Sequence, residues 1–321
     1  MVSLGSIKSE TKVSTGPSWV IDQMPDLEGK VVIVTGGSSG VGREICKQLL
    51  LKNARVYMVD ESQDHATAAI AEVAIETDGK YALLHHLDLT DLDTVNQSAE
   101  LFLKKETSLH ILFCIADAVC STKDKYTVQG YDIQFGANTL GHLLFIRKLY
   151  RLLVSSTTPE HPARVIWASS SLHSRCTSPF NYEALRDTPA RSQKFITPQT
   201  LYESSKFAIV QLGLYMSRTT FKGDGVVMIV VDHYVQVENS SSKNTAMKFF
   251  KKSPHPPKCG IITTYLYAGT YASSEPLELQ GKYLIPPFKA GNPSPAAEDE
   301  MTQREMWNFC EKVIHGYLTR E

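Results

Sequence analysis

The sequence predicts an α/β fold in which one doubly wound parallel sheet is covered by helices on both faces. Two observations support this prediction: short β-branched runs alternate with longer amphipathic stretches, and the short runs are almost continuously apolar. Strands buried on both faces have this composition, and right-handed crossovers between them give the doubly wound order. The length of 321 residues would also allow two domains, but a single large domain fits as well, and we predict one.

Each predicted strand is a short apolar run, and the predicted helices are amphipathic, as Ile45, Leu49 and Leu50 on one side of the first helix illustrate. The strands are expected at 30–35, 54–60, 82–87, 110–115, 164–168, 226–232 and 282–285. The helices are expected at 41–52, 65–77, 92–105, about 134–153, 201–220, about 260–272 and 298–317.

The elements define the limits of the domain. Residues 1–28 are predicted to be a polar N-terminal extension, and residues 29–321 are predicted to form the α/β domain. Two long segments, at about 172–200 and 234–257, interrupt the alternation of strands and helices. Loops of this length are usually functional lids or are poorly ordered, so we expect substrate lids at both places.

Composition and charge limit the kind of partner. The net charge of −1 gives no electrostatic argument for nucleic acid or an anionic membrane, so a small-molecule substrate is expected. No apolar run approaches the roughly 20 residues of a membrane-spanning helix, and the polar start lacks the apolar stretch of a secretory signal. The six cysteines show neither a CxxC pair nor a Cys/His cluster, so no metal site is predicted. The expected location is the cytoplasm.

A glycine-rich turn, TGGSSGVG at 35–42, follows the first predicted strand. Gly36 suits the tight turn, Gly40 lets the backbone approach a pyrophosphate, and Gly42 allows close packing of helix on strand. Free N–H groups at the start of the helix would hold the phosphates. The residues expected to form this site are Gly36, Ser38, Ser39, Gly40, Val41 and Gly42. The alternative is a plain strand–helix turn without a ligand.

Asp60 ends the second predicted strand. A carboxylate at this place accepts hydrogen bonds from the ribose diol of adenosine and repels a 2′-phosphate. Neither Ser39 nor Glu61 supplies a cation that would receive such a phosphate. The sequence therefore favours NAD and leaves NADP open, with a solvated aspartate that starts a turn as the alternative.

Tyr202 and Lys206 are four positions apart, so on a helix their side chains share one face. An ammonium beside a phenol favours phenolate and would lower the pKa of Tyr202, which suits proton exchange with a carbonyl. The spacing alone is weak, since about one such pair is expected by chance in a chain of this composition. Its position after the fifth strand, where helix starts face the ligand crevice, supports a functional role.

These motifs and their order resemble the short-chain dehydrogenase/reductase family over about residues 28–317. The NTLGH and SSSLH segments and the closing helix are most similar to the retinol-dehydrogenase-like branch. The resemblance implies a Rossmann fold and an NAD(P)-dependent interconversion of a carbonyl and an alcohol. The matching features, in chain order, are TGxxxGxG at 35–42, Asp60, Asp88-Leu89, Asn138, Ser170 and YxxxK at 202–206.

The resemblance also implies roles for individual residues. Tyr202 would be the general acid and base, and Lys206 would lower its pKa and hold the nicotinamide ribose. Ser170 would orient the substrate carbonyl, and Asn138 would hold a water of the proton relay. Asp88 would receive the adenine amino group. The other cofactor contacts that the resemblance implies are Leu89, Ala116 and Val235. Family members often associate through helices beside strands four and five, which leaves a homodimer or homotetramer open.

Four residues, at three places in the chain, depart from the family's pattern. Asp117 replaces the close-approach glycine of the NNAG motif, Asp232-His233 stands where the family has PG, and Val237 replaces the usual threonine near the nicotinamide carboxamide. A lost neutral hydrogen bond costs about 1 kcal/mol, so weaker dinucleotide binding is expected.

Three functions are therefore open. The first is an NAD(P)-dependent oxidoreductase acting on a small, largely apolar molecule, for which the long segments suggest a lipid-like or secondary-metabolism substrate. The second is a non-redox isomerase or cyclase in which Tyr202, Lys206 and Asp117 act without a dinucleotide. The third is a regulatory protein that senses a dinucleotide.

Overall fold

The centre of the molecule is an eight-stranded sheet with the order β3-β2-β1-β4-β5-β6-β7-β8. The computed structural model describes residues 19–120, 122–176, 180–233, 258–272, 275 and 277–319. Strands β1 to β7 pair in parallel, and β8 pairs antiparallel with β7. The strands are β1 (Val31–Thr35), β2 (Arg55–Asp60), β3 (Leu83–His86), β4 (Ile111–Cys114), β5 (Arg164–Ser169), β6 (Val227–Asp232), β7 (Tyr283–Ile285) and β8 (Lys289–Ala290).

Helices cover both faces of the sheet, because alternate residues of each buried strand point to opposite faces. In β1, Ile33 belongs to the apolar cluster to which α3, α5, α6 and α9 contribute, whereas Val32 and Val34 belong to the cluster to which α1, α2 and α7 contribute. These helices are α1 (Gly40–Leu51), α2 (Gln63–Glu76), α3 (Leu92–Lys105), α4 (Ile133–Phe135), α5 (His142–Ser155), α6 (Pro198–Arg218), α7 (Lys258–Thr270), α8 (Pro295–Glu298) and α9 (Glu300–Leu318). A π-helical turn, Gly136–Gly141, joins α4 to α5.

The observed sheet confirms the predicted fold class, and every predicted strand and helix is present with its ends shifted by a few residues. Four features were not predicted: the π-helical turn, the antiparallel edge strand β8, the short helix α8, and short 3₁₀ turns such as Tyr182–Leu185. The edge strand has two residues, too few to show the period of two that identifies a strand. No helix in the described part of the chain is long and apolar enough to cross a membrane.

The described part of the predicted lid at 172–200 packs on the body of the domain. The Arg191 guanidinium forms an ion pair of 2.8 Å with Asp132, and both side chains are buried. It also donates to the carbonyl oxygens of Lys123 and Ala184. A buried charge is tolerated where it is paired and hydrogen-bonded in this way. The other predicted lid, at 234–257, lies outside the described residues, and lid roles for both segments stay predictions.

Candidate active site

A cleft of about 1220 Å³ lies at the carboxyl ends of the central strands. Its walls include the 36–42 turn, Asp60 at the end of β2, and the loop at 115–118 that follows β4. The sheet order reverses between β1 and β4, and ligands of open α/β sheets bind at such a switch point. The far end of the cleft is bounded by Asp117 and His233.

The glycine-rich turn has the geometry that its sequence predicts. Gly36 and Gly40 have φ values of +66° and +51°, which glycine adopts without strain. A Cβ atom at Gly42 would lie 2.2 Å from the carbonyl oxygen of Gly36, so only glycine lets α1 pack this closely on the turn. Ser38, Ser39 and Val41 line the cleft beside these glycines. The structure therefore brings all six predicted residues of the phosphate site together.

Negative side chains surround the end of the cleft near Asp60. Asp60 Oδ2 accepts a hydrogen bond of 2.5 Å from Ser38 Oγ, and Oδ1 accepts one of 3.0 Å from the backbone of Ser62. The second bond is the turn-starting contact of the alternative interpretation, and the contact of Asp60 with an adenosine ribose stays a prediction. No lysine or arginine is among the described residues that line the cleft, whereas Glu44, Glu61 and Glu72 are.

Arg43, the nearby cation of α1, is paired with two carboxylates. Arg43 forms ion pairs of 3.1 Å with Glu72 and 2.6 Å with Glu76.

The resemblance also placed Asp88 against the adenine, but Leu89 and Thr90 line the wall there, and Asp88 does not. Asp88 Oδ1 instead accepts bonds from the backbone and the hydroxyl of Thr90.

Two polar side chains fix the loop at 115–118. Thr35 Oγ1 accepts bonds from the backbone N–H groups of Ile115 and Ala116, at 2.9 and 3.1 Å. Asn138 Oδ1 accepts a bond of 2.7 Å from Ala118 N, and its Nδ2 donates to Ala118 O and to Ser205 Oγ. Asn138 therefore uses its side-chain amide to hold the loop, so that the residue between the two clamps, Asp117, has a defined position.

The carboxylate of Asp117 contacts both members of the predicted acid–base pair. Tyr202 Oη donates a hydrogen bond of 2.7 Å to Asp117 Oδ2. Lys206 Nζ lies 2.9 Å from Oδ1, an ion pair whose angles depart from hydrogen-bond geometry. Lys206 Nζ also donates to Ala168 O at 3.2 Å. Asp117 lines the cleft, whereas Tyr202 and Lys206 are buried behind it.

Burial and this contact reverse the expected effect on the pKa of Tyr202. Burial raises the pKa of the Tyr202 phenol well above its usual value, and the charge and hydrogen bond of Asp117 raise it further. The sequence led us to expect a lowered pKa because Lys206 was the one charge that the helical spacing placed beside the phenol. In the structure a carboxylate lies between them, so the prediction of a lowered pKa is wrong.

The end of β6 adds a second group of titratable side chains. Asp232 is buried, accepts a bond of 2.8 Å from Ser171 N, and has its pKa raised to about 6 by burial. His233 Nδ1 lies 2.8 Å from the hydroxyl of Tyr265, and burial lowers the pKa of His233 to about 4. Sequence reasoning missed Tyr265, because nothing in its local pattern distinguishes it from an ordinary core residue of α7.

The other predicted site residues are Ser170, Asn138 and Val235. Ser170 follows β5 and is buried, and its Oγ accepts a bond of 3.2 Å from Leu172 N. The main-chain oxygen of Asn138 lies 3.3 Å from Trp167 Nε1 and 3.2 Å from His142 Nδ1. Val235 and Val237 lie outside the described residues. The structure thus brings Asn138, Tyr202 and Lys206 together around Asp117.

The sequence is similar to proteins of known family. Residues 30–178 match the family model of short chain dehydrogenases. A short-chain dehydrogenase/reductase of Armillaria gallica is 35% identical over 308 residues, covering 94% of this chain and 95% of the relative. Retinol dehydrogenase 12 of Homo sapiens is 31% identical over 290 residues, covering 89% of this chain and 86% of the relative.

Solved structures share the fold at lower sequence identity. An uncharacterized protein from Mycobacterium paratuberculosis has a TM-score of 0.68 at 22% identity, covering 92% of this chain and 97% of that chain. RhlG of Pseudomonas aeruginosa, in complex with NADP, has a TM-score of 0.59 at 19% identity, covering 81% of this chain and 95% of that chain. With two relatives above 30% identity over most of both chains, this chain is an oxidoreductase that belongs to the short-chain dehydrogenase/reductase family, in its retinol-dehydrogenase-like branch.

Proposed function

We propose that this protein uses a nicotinamide dinucleotide to interconvert a carbonyl and an alcohol on a small, largely apolar molecule. The observation that carries the proposal is the continuous cleft from Asp60 to Asp117, which ends directly on the carboxylate that contacts Tyr202 and Lys206. Its volume of about 1220 Å³ lies above the roughly 300–1,000 Å³ of most pockets for small molecules.

The residues of the cleft suit the parts of a dinucleotide. The turn from Gly36 to Gly42 offers backbone N–H groups and no side chain where a pyrophosphate would approach. Asp60 would accept hydrogen bonds from the adenosine ribose, and Leu89 and Ala116 would contact the cofactor from the opposite wall. When bound, the nicotinamide ring would supply or accept the hydride.

The catalytic roles are assigned to the buried residues behind Asp117. Tyr202 would donate a proton to the carbonyl oxygen, and its raised pKa keeps the phenol protonated for this step. Lys206 would hold the nicotinamide ribose, and Ser170 would orient the carbonyl. Asn138 would position the 115–118 loop through its bonds to Ala118.

An apolar substrate is supported by apolar residues that line the cleft and by one relative. Ile261 and Ile262 line the cleft with Ala118. The name of the human relative, retinol dehydrogenase 12, denotes an enzyme of an apolar alcohol. A cytoplasmic location, which the sequence led us to expect, and a homodimer or homotetramer, which the family resemblance left open, complete the proposal.

We expect binding of NADH to be tighter than binding of NADPH by at least tenfold, about 1.4 kcal/mol. The reason is the acidic wall around Asp60, which would lie against a 2′-phosphate. In fluorescence titrations, Asp60→Ser should reduce this preference about tenfold. Asp64→Asn is the matched control, because Asp64 is exposed nearby in α2 and does not line the cleft. A wild-type preference for NADPH would contradict the assignment of Asp60.

The proposal is tested by single-turnover hydride transfer from NADH to a panel of apolar ketones and aldehydes. We expect oxidation of NADH with at least one member of the panel. Wild-type protein that binds neither NADH nor NADPH, and oxidises neither, would overturn the proposal.

The contact of Asp117 with Tyr202 and Lys206 favours a second candidate, a non-redox isomerase or cyclase. A carboxylate and a phenol 2.7 Å apart could move a proton between two positions of a substrate without a hydride. Product formation in the absence of any dinucleotide, and its loss in Tyr202→Phe, would support this candidate over the oxidoreductase.

A further inference from the structure

We propose that Asp117 is the proton relay of this active site, exchanging a proton with Tyr202 Oη on one side and with water in the cleft on the other. The inference rests on the proposed function, because it assigns the proton path of the same reaction. It differs from the relay that the family resemblance implies, in which Asn138 holds a water.

The position of Asp117 connects the buried phenol to the cleft. Tyr202 is 1% exposed, and its hydroxyl lies 2.7 Å from Asp117 Oδ2. The Asp117 side chain is 11% exposed and lines the cleft. A single proton transfer from Tyr202 Oη to Asp117 Oδ2 therefore brings the proton to a carboxylate that lines the cleft.

The alternative path through Asn138 is obstructed by its own hydrogen bonds. Both donors of the Asn138 amide are used, by Ala118 O and Ser205 Oγ. Its main-chain oxygen accepts a bond from Trp167 Nε1 and lies beside His142 Nδ1. An oxygen with these neighbours has little capacity left for a relay water.

The carboxylate is held so that one oxygen faces the phenol. Lys206 Nζ pairs with Oδ1, which leaves Oδ2 to accept the Tyr202 hydrogen bond. The clamps at Thr35 and Asn138 fix the backbone on either side of Asp117. A relay group needs this fixed geometry, because proton transfer requires a heavy-atom distance of about 2.6–3.2 Å.

The reaction balances with Asp117 as the relay. In alcohol oxidation the substrate C–H bond breaks, and an oxidised nicotinamide, when bound, would accept its hydride. The substrate hydroxyl proton passes to Tyr202 Oη as the phenol proton passes to Asp117 Oδ2. The carboxylic acid of Asp117 then releases its proton to water. Carbonyl reduction runs through the same transfers in reverse and takes up one proton from solvent.

The test uses full-length protein, NADH as the dinucleotide and the best carbonyl of the panel. Asp117→Asn keeps the size of the side chain and removes the proton acceptor, and we expect hydride transfer to fall by about 100-fold or more. Its affinity for NADH should stay within about threefold of wild type, less than 1 kcal/mol.

Asp117→Gly should be similarly slow, and sodium formate should restore its rate at least tenfold by supplying a small carboxylate. Asp124→Asn, an exposed aspartate in the same region, is the control and should behave as wild type.

Other outcomes have distinct meanings. Asp117 variants that bind NADH more tightly and turn over faster than wild type would show that the carboxylate obstructs the ribose position, which overturns the relay and leaves the oxidoreductase function intact. Failure of formate to accelerate Asp117→Gly, with its fold confirmed by thermal melting, would also overturn the relay. Wild-type protein that transfers no hydride overturns the proposed function and the relay together, before any variant is compared.

Discussion

Replacing Tyr202 with phenylalanine is expected to slow hydride transfer by about 10²- to 10⁴-fold, the usual contribution of a general acid. The substitution removes the hydroxyl that donates to Asp117 and keeps the buried ring. Affinity for NADH should fall by no more than about tenfold, since one hydrogen bond is worth about 1 kcal/mol. Single-turnover kinetics at saturating NADH measure the rate, and fluorescence titration measures the affinity.

Tyr57→Phe is the matched control for this experiment. Tyr57 is also buried and also donates to a carboxylate, Glu106, at 2.5 Å, but it lies away from the cleft. Its substitution should leave the rate unchanged. A rate in Tyr202→Phe within about threefold of wild type, a difference of less than 1 kcal/mol, would exclude Tyr202 as the general acid.

Replacing Gly42 with alanine is expected to weaken NADH binding by about 100-fold, the effect of misplacing a binding group by about 1 Å. A Cβ atom at position 42 would lie 2.2 Å from Gly36 O and 2.9 Å from Gly36 C, so α1 and the turn must separate. Both contacts are with backbone, which has no flexible end that could move aside. Calorimetric titration with NADH gives the affinity, and thermal melting shows whether the variant is folded.

Gly316→Ala provides the comparison. Gly316 lies in α9, where an added Cβ atom would meet no neighbour within 4 Å. Alanine is favoured over glycine in a helix by about 1 kcal/mol, so this variant should be as stable as wild type or more stable, with unchanged affinity. Equal affinities of Gly42→Ala and wild type would mean that the dinucleotide does not bind at the turn.

The sequence was sufficient for the parts of the fold that depend on local pattern. The β-branched runs and the amphipathic period identify the strands and helices, because burial on both faces requires that composition. The turn could be predicted because Gly36 and Gly40 adopt positive φ angles and Gly42 lies where the backbone of Gly36 excludes a side chain. The strand β8 could not be predicted, because its two residues are too few to show the alternation that identifies a strand.

The active site was predicted in outline but not in its contacts. Asp117 was recognised as a departure from the family pattern, yet its bond to Tyr202 joins residues 85 positions apart. No local pattern gives such a contact, and burial together with this contact raises the pKa of Tyr202. Asn138 was expected to hold a water, whereas its amide holds the loop that carries Asp117. Both differences arise from contacts between residues that are distant in the sequence.

The proposed function requires that a nicotinamide dinucleotide lies in this cleft with its reactive ring beside Asp117 and Tyr202. A crystal structure of the protein grown with NADH tests this directly. We predict the pyrophosphate on the 36–42 turn, the adenosine ribose on Asp60, and the nicotinamide ring at the end bounded by Asp117 and His233. A dinucleotide bound elsewhere, or a nicotinamide ring turned out of the cleft while Asp117 keeps its contacts with Tyr202 and Lys206, would contradict the account.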